Sequence, residues 1–244
     1  MQNWFKDWFG SKEYLNVYNH RNNEDAEKLI NTILDNVNIS EDAEILDAAC
    51  GSGRHSILLA RKGFRVTAFD LSEELLKVAK KNAADENLII EFIEADIREF
   101  SIDKKFSLVL NVFTSFGYFE DDTENFSFFD KLNKLLFKDG YFVFDYLNQN
   151  FVTENLIPNS EKEINGKNIF EERTIEKGRV VKKITIDSGT EKKEFYESVK
   201  LYSPKKIIER IEAGKLEVEN IFGNYSGDSF DENKSERLII LARK

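Results

Sequence analysis

Acidic residues stand at the ends of three short apolar runs in the first half of the chain. They are Asp47, Asp70 and Asp96, and a loop of small residues, 48–53, follows the first of them. The loop contains two glycines, which carry no Cβ and let a ligand approach the backbone closely. The apolar run 57–60 after the loop indicates a helix, whose first N–H groups can face that ligand. The sequence therefore predicts a strand, a glycine turn and a helix that bind a small molecule.

Two cofactor classes use a turn of this kind, and the neighbouring residues discriminate between them. A dinucleotide-binding turn has a third glycine that allows close helix packing, and Ser56 occupies that position here. The carboxylate of Asp47 would repel a pyrophosphate but attract the ammonium and sulfonium groups of S-adenosylmethionine. The sequence therefore favours the sulfonium cofactor. A nicotinamide-dependent oxidoreductase, which shares the turn and the carboxylate at Asp70, is the first alternative.

Residues 47–53, Asp-Ala-Ala-Cys-Gly-Ser-Gly, resemble motif I of the class I S-adenosylmethionine-dependent methyltransferases, Asp-x-Gly-x-Gly-x-Gly. This chain departs from the motif at its first glycine, which is Ala49. The resemblance implies methyl transfer from S-adenosylmethionine, with S-adenosylhomocysteine as product. It also implies that the loop binds the cofactor, through Asp47, Ala48, Ala49, Gly51 and Gly53. A non-catalytic S-adenosylmethionine-binding module is the second alternative.

The second and third carboxylates are predicted to bind the adenosyl part of the cofactor. Asp70 lies 17 residues after Gly53, close to the spacing at which an acidic group reaches ribose hydroxyls in this architecture. The family's third motif implies that Asp96 accepts a hydrogen bond from the adenine amino group while Ile97 covers the ring. The remaining predicted cofactor contacts are Leu71, Asn111 and Phe113.

The amino-terminal segment is predicted to form a lid. Its aromatic residues Trp4, Phe5, Trp8 and Phe9 fall on one face if the segment is helical, and we expect that face to cover a pocket. In small-molecule methyltransferases that the sequence resembles, a tyrosine and an arginine from this region close over the cofactor. That role is assigned to Tyr18 and Arg21; the alternative is a helix-packing tyrosine and a solvent-exposed arginine.

The segment 111–119, rich in aromatic residues, is the candidate acceptor loop. It lacks the Pro-Pro-aromatic sequence of enzymes that methylate nucleobase amines and the Pro-Cys sequence of cytosine-C5 enzymes. Phe116 and Tyr118 in this loop suit a small acceptor that is partly apolar or cationic, unless the rings belong to the core. We also assign acceptor contacts to Asn148 and to Arg173, which shares a strand face with apolar residues and with Glu171. Arg173 would bind a substrate carboxylate or phosphate, or else pair with Glu171.

Methyl transfer from an activated sulfonium does not strictly require an acid or a base. If the acceptor is a protonated amine or a hydroxyl, a base must help, and the candidates are His20, His55 and Tyr118. His55 also lies at the helix start beside the cofactor loop.

The order of the predicted elements indicates an α/β fold: a doubly wound, mostly parallel seven-stranded sheet with an inserted antiparallel β meander. The predicted strands of the large sheet are 45–46, 65–70, 88–93, 106–111, 141–147, 216–222 and 237–242. A helix is predicted from Thr123, with Gly140 ending it. The meander strands include 169–175, 180–186 and 195–201. The predicted domains are an amino-terminal lid, 1–39, a core of 40–148 and 203–244, and the insertion 149–202.

Composition narrows the possible partners. The chain has 244 residues and a formal charge of −10, which argues against nucleic acid because such binding is driven by Lys and Arg neutralising phosphates. Its single cysteine, Cys50, excludes an intrachain disulfide and a cysteine-built zinc site, and no metal is expected. No signal peptide or transmembrane run is present, so we expect a soluble cytoplasmic monomer or homodimer with no membrane contact.

Overall fold

The computed structural model describes residues 3–18 and 23–244, which form two β-sheets and the helices around them. The strands are β1 (Glu44–Ala48), β2 (Arg65–Asp70), β3 (Ile90–Glu94), β4 (Phe106–Asn111), β5 (Leu136–Leu147), β6 (Asn159–Ile164), β7 (Lys167–Glu176), β8 (Arg179–Asp187), β9 (Lys192–Lys200), β10 (Glu217–Phe222) and β11 (Arg237–Arg243). The helices are α1 (Trp4–Phe9), α2 (Lys12–Tyr18), α3 (Asn23–Asp35), α4 (Arg54–Arg61), α5 (Glu73–Asp85), α6 (Asp122–Phe126), α7 (Leu132–Leu135), α8 (Gln149–Asn155) and α9 (Pro204–Ala213).

The large sheet has seven strands in the order β10-β11-β5-β4-β1-β2-β3. Strands β1 to β5 pair in parallel, whereas β11 runs antiparallel to both β5 and β10. The central strands are almost continuously buried because helices cover both faces of the sheet. The predicted doubly wound, mostly parallel fold with an antiparallel closing strand is confirmed.

The second sheet is an antiparallel meander, β6-β7-β8-β9, and lies within the predicted insertion. Its turns contain Asn165-Gly166, Lys177-Gly178 and Gly189, and each of these residues has positive φ. Strand β6 is not among the strands predicted from the sequence. That strand reads Asn-Ser-Glu-Lys-Glu-Ile and pairs only at its β7 side, so its composition resembles a loop.

The helix predicted from Thr123 to Gly140 is wrong. The segment contains α6, a 3-10 turn at Phe129–Lys131 and the four-residue α7, and β5 already begins at Leu136. Gly140 lies inside β5, where an added Cβ would stand 3.1 Å from the carbonyl oxygen of Phe106. The apolar period came from phenylalanines that pack in several directions around one core, not from the face of one helix.

The amino-terminal segment packs on the meander. Trp8 is fully buried, and its ring centre lies 4.6 Å from that of Phe195 on β9. Trp4 and Phe5 are also buried and form edge contacts with Tyr118 and Phe119 of the loop after β4. In the described ranges, no helix is long and apolar enough to cross a bilayer.

We predict that Gly53→Ala strongly destabilises the fold. Gly53 caps α4 with φ +79°, and an added Cβ would stand 2.9 Å from the Cβ of Ala79 on α5. The left-handed backbone and the overpacking together should lower the free energy of unfolding by about 2–5 kcal/mol. Urea unfolding measures the change.

Gly189→Ala is the matched control for this variant. Gly189 also has positive φ, +82°, but nothing lies within 4 Å of an added Cβ. Only the backbone cost of about 1–2 kcal/mol should then appear. Equal losses in the two variants would contradict the close packing assigned to Gly53.

Candidate functional site

A cavity of about 600 Å³ opens at the carboxyl edge of the large sheet, between that edge, α1 and the meander. Open α/β sheets bind ligands at this edge. Asp47 near the end of β1, Asp70 at the end of β2 and Asp96 after β3 all line the cavity, as does Gly51. Three acidic residues separated in sequence therefore surround one space beside the glycine loop.

Asp70 connects two of the turns that form the site. Its Oδ2 accepts a hydrogen bond from the Gly51 N–H at 2.8 Å, and its Oδ1 accepts one from the Ser72 N–H at 2.8 Å. Burial raises the pKa of this carboxyl, although the two backbone bonds oppose the shift. Since each carboxylate oxygen can accept more than one hydrogen bond, Asp70 can also accept from a ligand hydroxyl.

The residues of the glycine loop have different roles. Gly51 faces the cavity, and the one atom near its missing Cβ is a Leu75 methyl at 4.0 Å. Gly53 faces α5 instead, so its lack of a side chain permits helix packing. Ala49 lines the cavity with φ +58°, a left-handed conformation that costs an alanine about 1–2 kcal/mol. Ala48 and Gly53 are not among the cavity-lining residues, so the structure does not support the direct ligand contact predicted for them.

Asp47 is a buried carboxyl group whose pKa is shifted by burial and by its neighbours. The Ser56 hydroxyl donates to its Oδ2 at 2.5 Å, and the residue is 1 % exposed. Burial raises the pKa of Asp47 to about 6, against the hydrogen bond from Ser56 and with the help of the negative charge of Asp70. A cationic ligand next to this carboxyl would therefore bind its ionised form more tightly.

Asp96 is already engaged by Arg98. The guanidinium contacts both carboxylate oxygens, at 3.0 and 2.7 Å, and the backbone N–H of Arg98 adds a bond of 2.9 Å. Burial opposes ionisation, but the Arg98 contacts outweigh it and lower the pKa of Asp96. Asp96 is thus a fixed acceptor at the cavity wall, beside Ile97.

The structure places the three candidate bases differently. His55 lines the cavity but is buried, and burial with the charge of Arg54 lowers its pKa to about 3. Tyr118 also lines the cavity and donates its hydroxyl proton to the Thr114 carbonyl oxygen at 2.7 Å. His20 lies outside the described residues, as does Arg21 of the predicted cofactor site.

Leu71, Phe113 and Phe116 line the cavity as expected from the sequence, whereas Tyr18, Asn111 and Asn148 do not. The Tyr18 hydroxyl donates to Glu197 of β9 at 2.7 Å, so Tyr18 ties α2 to the meander. The Asn111 amide donates to the Ala48 carbonyl oxygen at 3.2 Å.

Asn148 caps α8, and its amide donates to the carbonyl oxygens of Glu232 and Ser235. The side chains of Asn111 and Asn148 therefore hold loops in place rather than facing the cavity. The acceptor role predicted for Asn148 and the cofactor contacts predicted for Tyr18 and Asn111 do not match these positions.

The sequence did not indicate that Asp145 and Arg237 hold the loop after β4. Phe113 and Thr114 both have positive φ, 59° and 63°, which costs free energy in residues other than glycine. Asp145 accepts from the Phe113 N–H at 2.8 Å, and Arg237 pairs with Asp145 and donates to the Thr114 hydroxyl at 2.8 Å. Arg237 lies 92 residues after Asp145, so no local pattern indicated the pair.

Arg54 is a second cavity-lining residue that sequence reasoning missed. Its guanidinium lies 4.8 Å from the Phe113 ring centre. It stands in the first turn of α4, where the helix dipole disfavours a cation, and that position could have marked it as functional. Arg54 and Arg237 bring positive charge to a cavity that Asp47, Asp70 and Asp96 also line.

These residues fit an adenosyl-sulfonium ligand that carries an amino acid. Gly51 leaves the loop open to close approach, Asp70 and Asp96 offer acceptors to hydroxyl and amino groups, and Asp47 favours a cation. A pyrophosphate would meet the carboxylates of Asp47 and Asp70, so a dinucleotide fits this wall less well. Within the described residues, no group of three or more His, Cys, Asp and Glu is arranged to hold a metal ion.

Comparisons with known proteins agree with the fold and the site. Residues 45–140 match the family model for the methyltransferase domain. The chain is 34% identical over 123 residues to a putative methyltransferase, YqeM, of Bacillus subtilis, covering 50% of this chain and 49% of the relative. It is 33% identical over 84 residues to a dTDP-3-amino-3,4,6-trideoxy-α-D-glucopyranose N,N-dimethyltransferase of Streptomyces venezuelae, 34% of each chain. The chain spans about half, or less, of the length of these relatives.

Solved structures match over nearly the whole chain. An S-adenosylmethionine-dependent methyltransferase of Clostridium acetobutylicum has a TM-score of 0.82 at 24% identity, covering 95% of this chain and 97% of that one. DesVI of Streptomyces venezuelae has a TM-score of 0.68 at 22% identity, covering 93% and 94%. The resemblance read from motif I is thereby confirmed: residues 45–140 match a methyltransferase domain, and the fold is that of a solved S-adenosylmethionine-dependent methyltransferase.

We predict that Asp70→Asn weakens S-adenosylhomocysteine binding by about 1–3 kcal/mol in calorimetry. The amide would place N–H groups against the donors of Gly51 or Ser72 and would remove the charge that a ribose hydroxyl needs. The unliganded variant should also unfold at a lower urea concentration. Asp35→Asn, at an exposed helix position, is the control. Unchanged affinity would remove Asp70 from the site.

We predict that S-adenosylmethionine affinity falls below about pH 6, the pKa of Asp47, by up to about tenfold per pH unit. The raised pKa means that the carboxyl gains a proton as the pH falls through 6, and the sulfonium then loses its counter-charge. Affinity for 5′-methylthioadenosine, which has no sulfonium and no ammonium, should stay constant.

Asp47→Asn should remove most of this pH dependence. A dependence that survives in Asp47→Asn would assign it to Asp70, whose pKa burial also raises. A constant wild-type affinity between pH 7 and pH 5 would contradict the role of either carboxyl. Calorimetry between pH 7 and pH 5 measures the binding of S-adenosylmethionine and of 5′-methylthioadenosine to the wild-type protein. It also measures the binding of S-adenosylmethionine to Asp47→Asn.

Proposed function

We propose that this chain, whose residues 45–140 form a methyltransferase domain on the class I fold, transfers a methyl group from S-adenosylmethionine to a small-molecule acceptor. The acceptor atom would be a nitrogen or an oxygen that displaces the sulfur in line. The observation that carries the proposal is that one cavity is lined by Asp47, Gly51 and Asp70 of the core and also by Arg173 and Lys182 of the meander.

S-adenosylmethionine supplies a methyl group already activated by the positive sulfur. The protein therefore needs mainly to hold the nucleophile in line, which accounts for about 7–11 kcal/mol of the barrier when the orientation is good. The strained turn at Phe113 and Thr114, held by Asp145 and Arg237, gives the cavity a rigid wall. The buried rings of Trp4 and Phe5 line the same cavity.

The protonation states of His55 and Tyr118 favour an acceptor nucleophile that needs no general base. With a pKa of about 3, His55 accepts no proton near neutral pH, and the Tyr118 proton is donated to a backbone carbonyl. A neutral amine has a free lone pair, whereas an alcohol must lose its proton. This argument, made for the described residues, supports an amine acceptor, and the streptomycete relative is by name an N,N-dimethyltransferase.

The test of the activity is transfer of an isotope-labelled methyl group into a metabolite extract freed of macromolecules, followed by mass spectrometry. Label should appear in one or a few small molecules with wild-type protein and with Asp35→Asn, and should drop sharply with Asp70→Asn at limiting cofactor. Tight cofactor binding in calorimetry without any labelled product would support the non-catalytic module instead. Binding of a nicotinamide cofactor in place of S-adenosylmethionine would support the oxidoreductase.

We predict that kcat/KM for the labelled acceptor rises about tenfold per pH unit until the pKa of the amine is reached. The slope should be unchanged in His55→Gln, because the titrating group belongs to the acceptor. Loss of the slope in that variant would make His55 the base. A slope that follows no group of the acceptor would contradict the amine assignment.

A further inference from the structure

We infer that the acceptor carries an anionic group, a carboxylate or a phosphate, and that Arg173 and Lys182 on the inner face of the meander bind it. The inference rests on the proposed function, since it identifies the chemistry of the acceptor in the same cavity. Both residues line that cavity.

The meander places two cations side by side. Arg173 on β7 stands directly opposite Lys182 on β8, and Lys182 stands directly opposite Glu197 on β9. Side chains opposite each other in an antiparallel pair have Cβ atoms about 4.5–5.5 Å apart, and like charges there destabilise the sheet. The pair Arg173 and Lys182 therefore concentrates positive charge, which Glu171 and Glu197 offset in part and a bound anion would offset further.

Each cation is held in position by its own carboxylate. Arg173 pairs with Glu171, as the sequence alternative proposed, and Glu171 also accepts from the Ser160 hydroxyl at 3.0 Å. Lys182 donates to Glu197 at 2.6 Å.

Two residues of the amino-terminal segment also donate hydrogen bonds to Glu197. It accepts from the Trp8 indole at 2.8 Å and from the Tyr18 hydroxyl at 2.7 Å. Burial would raise its pKa, but the charge and hydrogen bond of Lys182 and the bonds from Tyr18 and Trp8 outweigh burial and lower it to about 2. Glu197 is therefore ionised at any ordinary pH and fixes the position of Lys182.

Both cations keep donors for a further acceptor. A guanidinium has five N–H bonds, and among the described residues Arg173 directs them to Glu171, to Ser160 and, at 3.4 Å, to the Ile157 carbonyl oxygen. An ammonium has three, and Lys182 directs two of them to Glu197 and Tyr18. The remaining donors are available to oxygen atoms that enter the cavity.

The local charge also favours an anion. Lys162, Arg173 and Lys182 bring three positive charges to this group, and Glu171 and Glu197 bring two negative ones. One positive charge is left over in a chain whose formal charge is −10. The carboxylates of Asp47, Asp70 and Asp96 suit the cationic cofactor, and the cations of the meander suit an anionic group of the acceptor.

The test uses full-length protein saturated with S-adenosylhomocysteine, with inorganic phosphate and acetate as separate probes in calorimetry or NMR titration. At least one probe should bind with a Kd in the millimolar range. Tighter binding of phosphate or of acetate then distinguishes a phosphate site from a carboxylate site. Arg173→Gln and Lys182→Gln should each weaken that binding about tenfold, since each removes a charge-assisted hydrogen bond. S-adenosylhomocysteine affinity should change by less than about twofold in both variants.

Lys183→Gln is the matched control, because Lys183 neighbours Lys182 but pairs with Glu194. It should leave anion binding unchanged. Glu171→Gln should strengthen anion binding several-fold, because it removes the carboxylate that competes for Arg173. The stronger anion binding of Glu171→Gln still tests the proposal if replacing Arg173 or Lys182 prevents folding.

The outcomes separate the two proposals. Failure of the wild-type protein to bind S-adenosylhomocysteine would overturn the proposed function. Normal S-adenosylhomocysteine binding with no anion binding, or anion binding that is insensitive to Arg173, Lys182 and Glu171, would overturn the anion site alone. Once the acceptor is identified, the same two Gln variants should raise its KM with little change in kcat.

Discussion

The hydrogen bonds that Asp70 accepts from the Gly51 and Ser72 N–H groups are the contacts on which the site depends most. They join the turn after β1 to the turn after β2 through one buried carboxylate. The charge of Asp70 is stabilised by backbone donors instead of a basic side chain, so it can accept further hydrogen bonds from a ligand. A single side chain thus joins two turns and also lines the cavity.

A second buried carboxylate supports the loop after β4. Asp145 binds the backbone of the Phe113–Thr114 turn and is itself paired with Arg237 of the last strand. Two consecutive left-handed residues would relax without this support, because neither is glycine. The antiparallel closing strand therefore does more than complete the sheet, since it delivers the arginine that holds the loop.

Glu197 joins the parts of the protein that lie outside the core. It binds Trp8 and Tyr18 of the amino-terminal segment and Lys182 of the meander, and these contacts bring α1 over the cavity. The amino-terminal segment and the meander consequently share one buried charge.

The sequence by itself determined the parallel core, the glycine turn and the carboxylates Asp47, Asp70 and Asp96, because each of these depends on residues close together in the chain. Strand periodicity, turn residues and helix caps are local properties, and strand ends of a parallel sheet meet at one edge whatever their separation. Local signals failed where phenylalanines packed in several directions, as in the segment after Thr123, and where a polar strand such as β6 paired on one side.

Only the tertiary structure decided the roles of individual side chains. Gly53, Asn111 and Asn148 proved to support packing and loops, and Tyr18 proved to bind Glu197, 179 residues away. The pairs Asp145 with Arg237 and Lys182 with Glu197 likewise join distant segments. The partners, burial and pKa of a side chain depend on which segments lie together in the folded structure. The residue type alone does not indicate this.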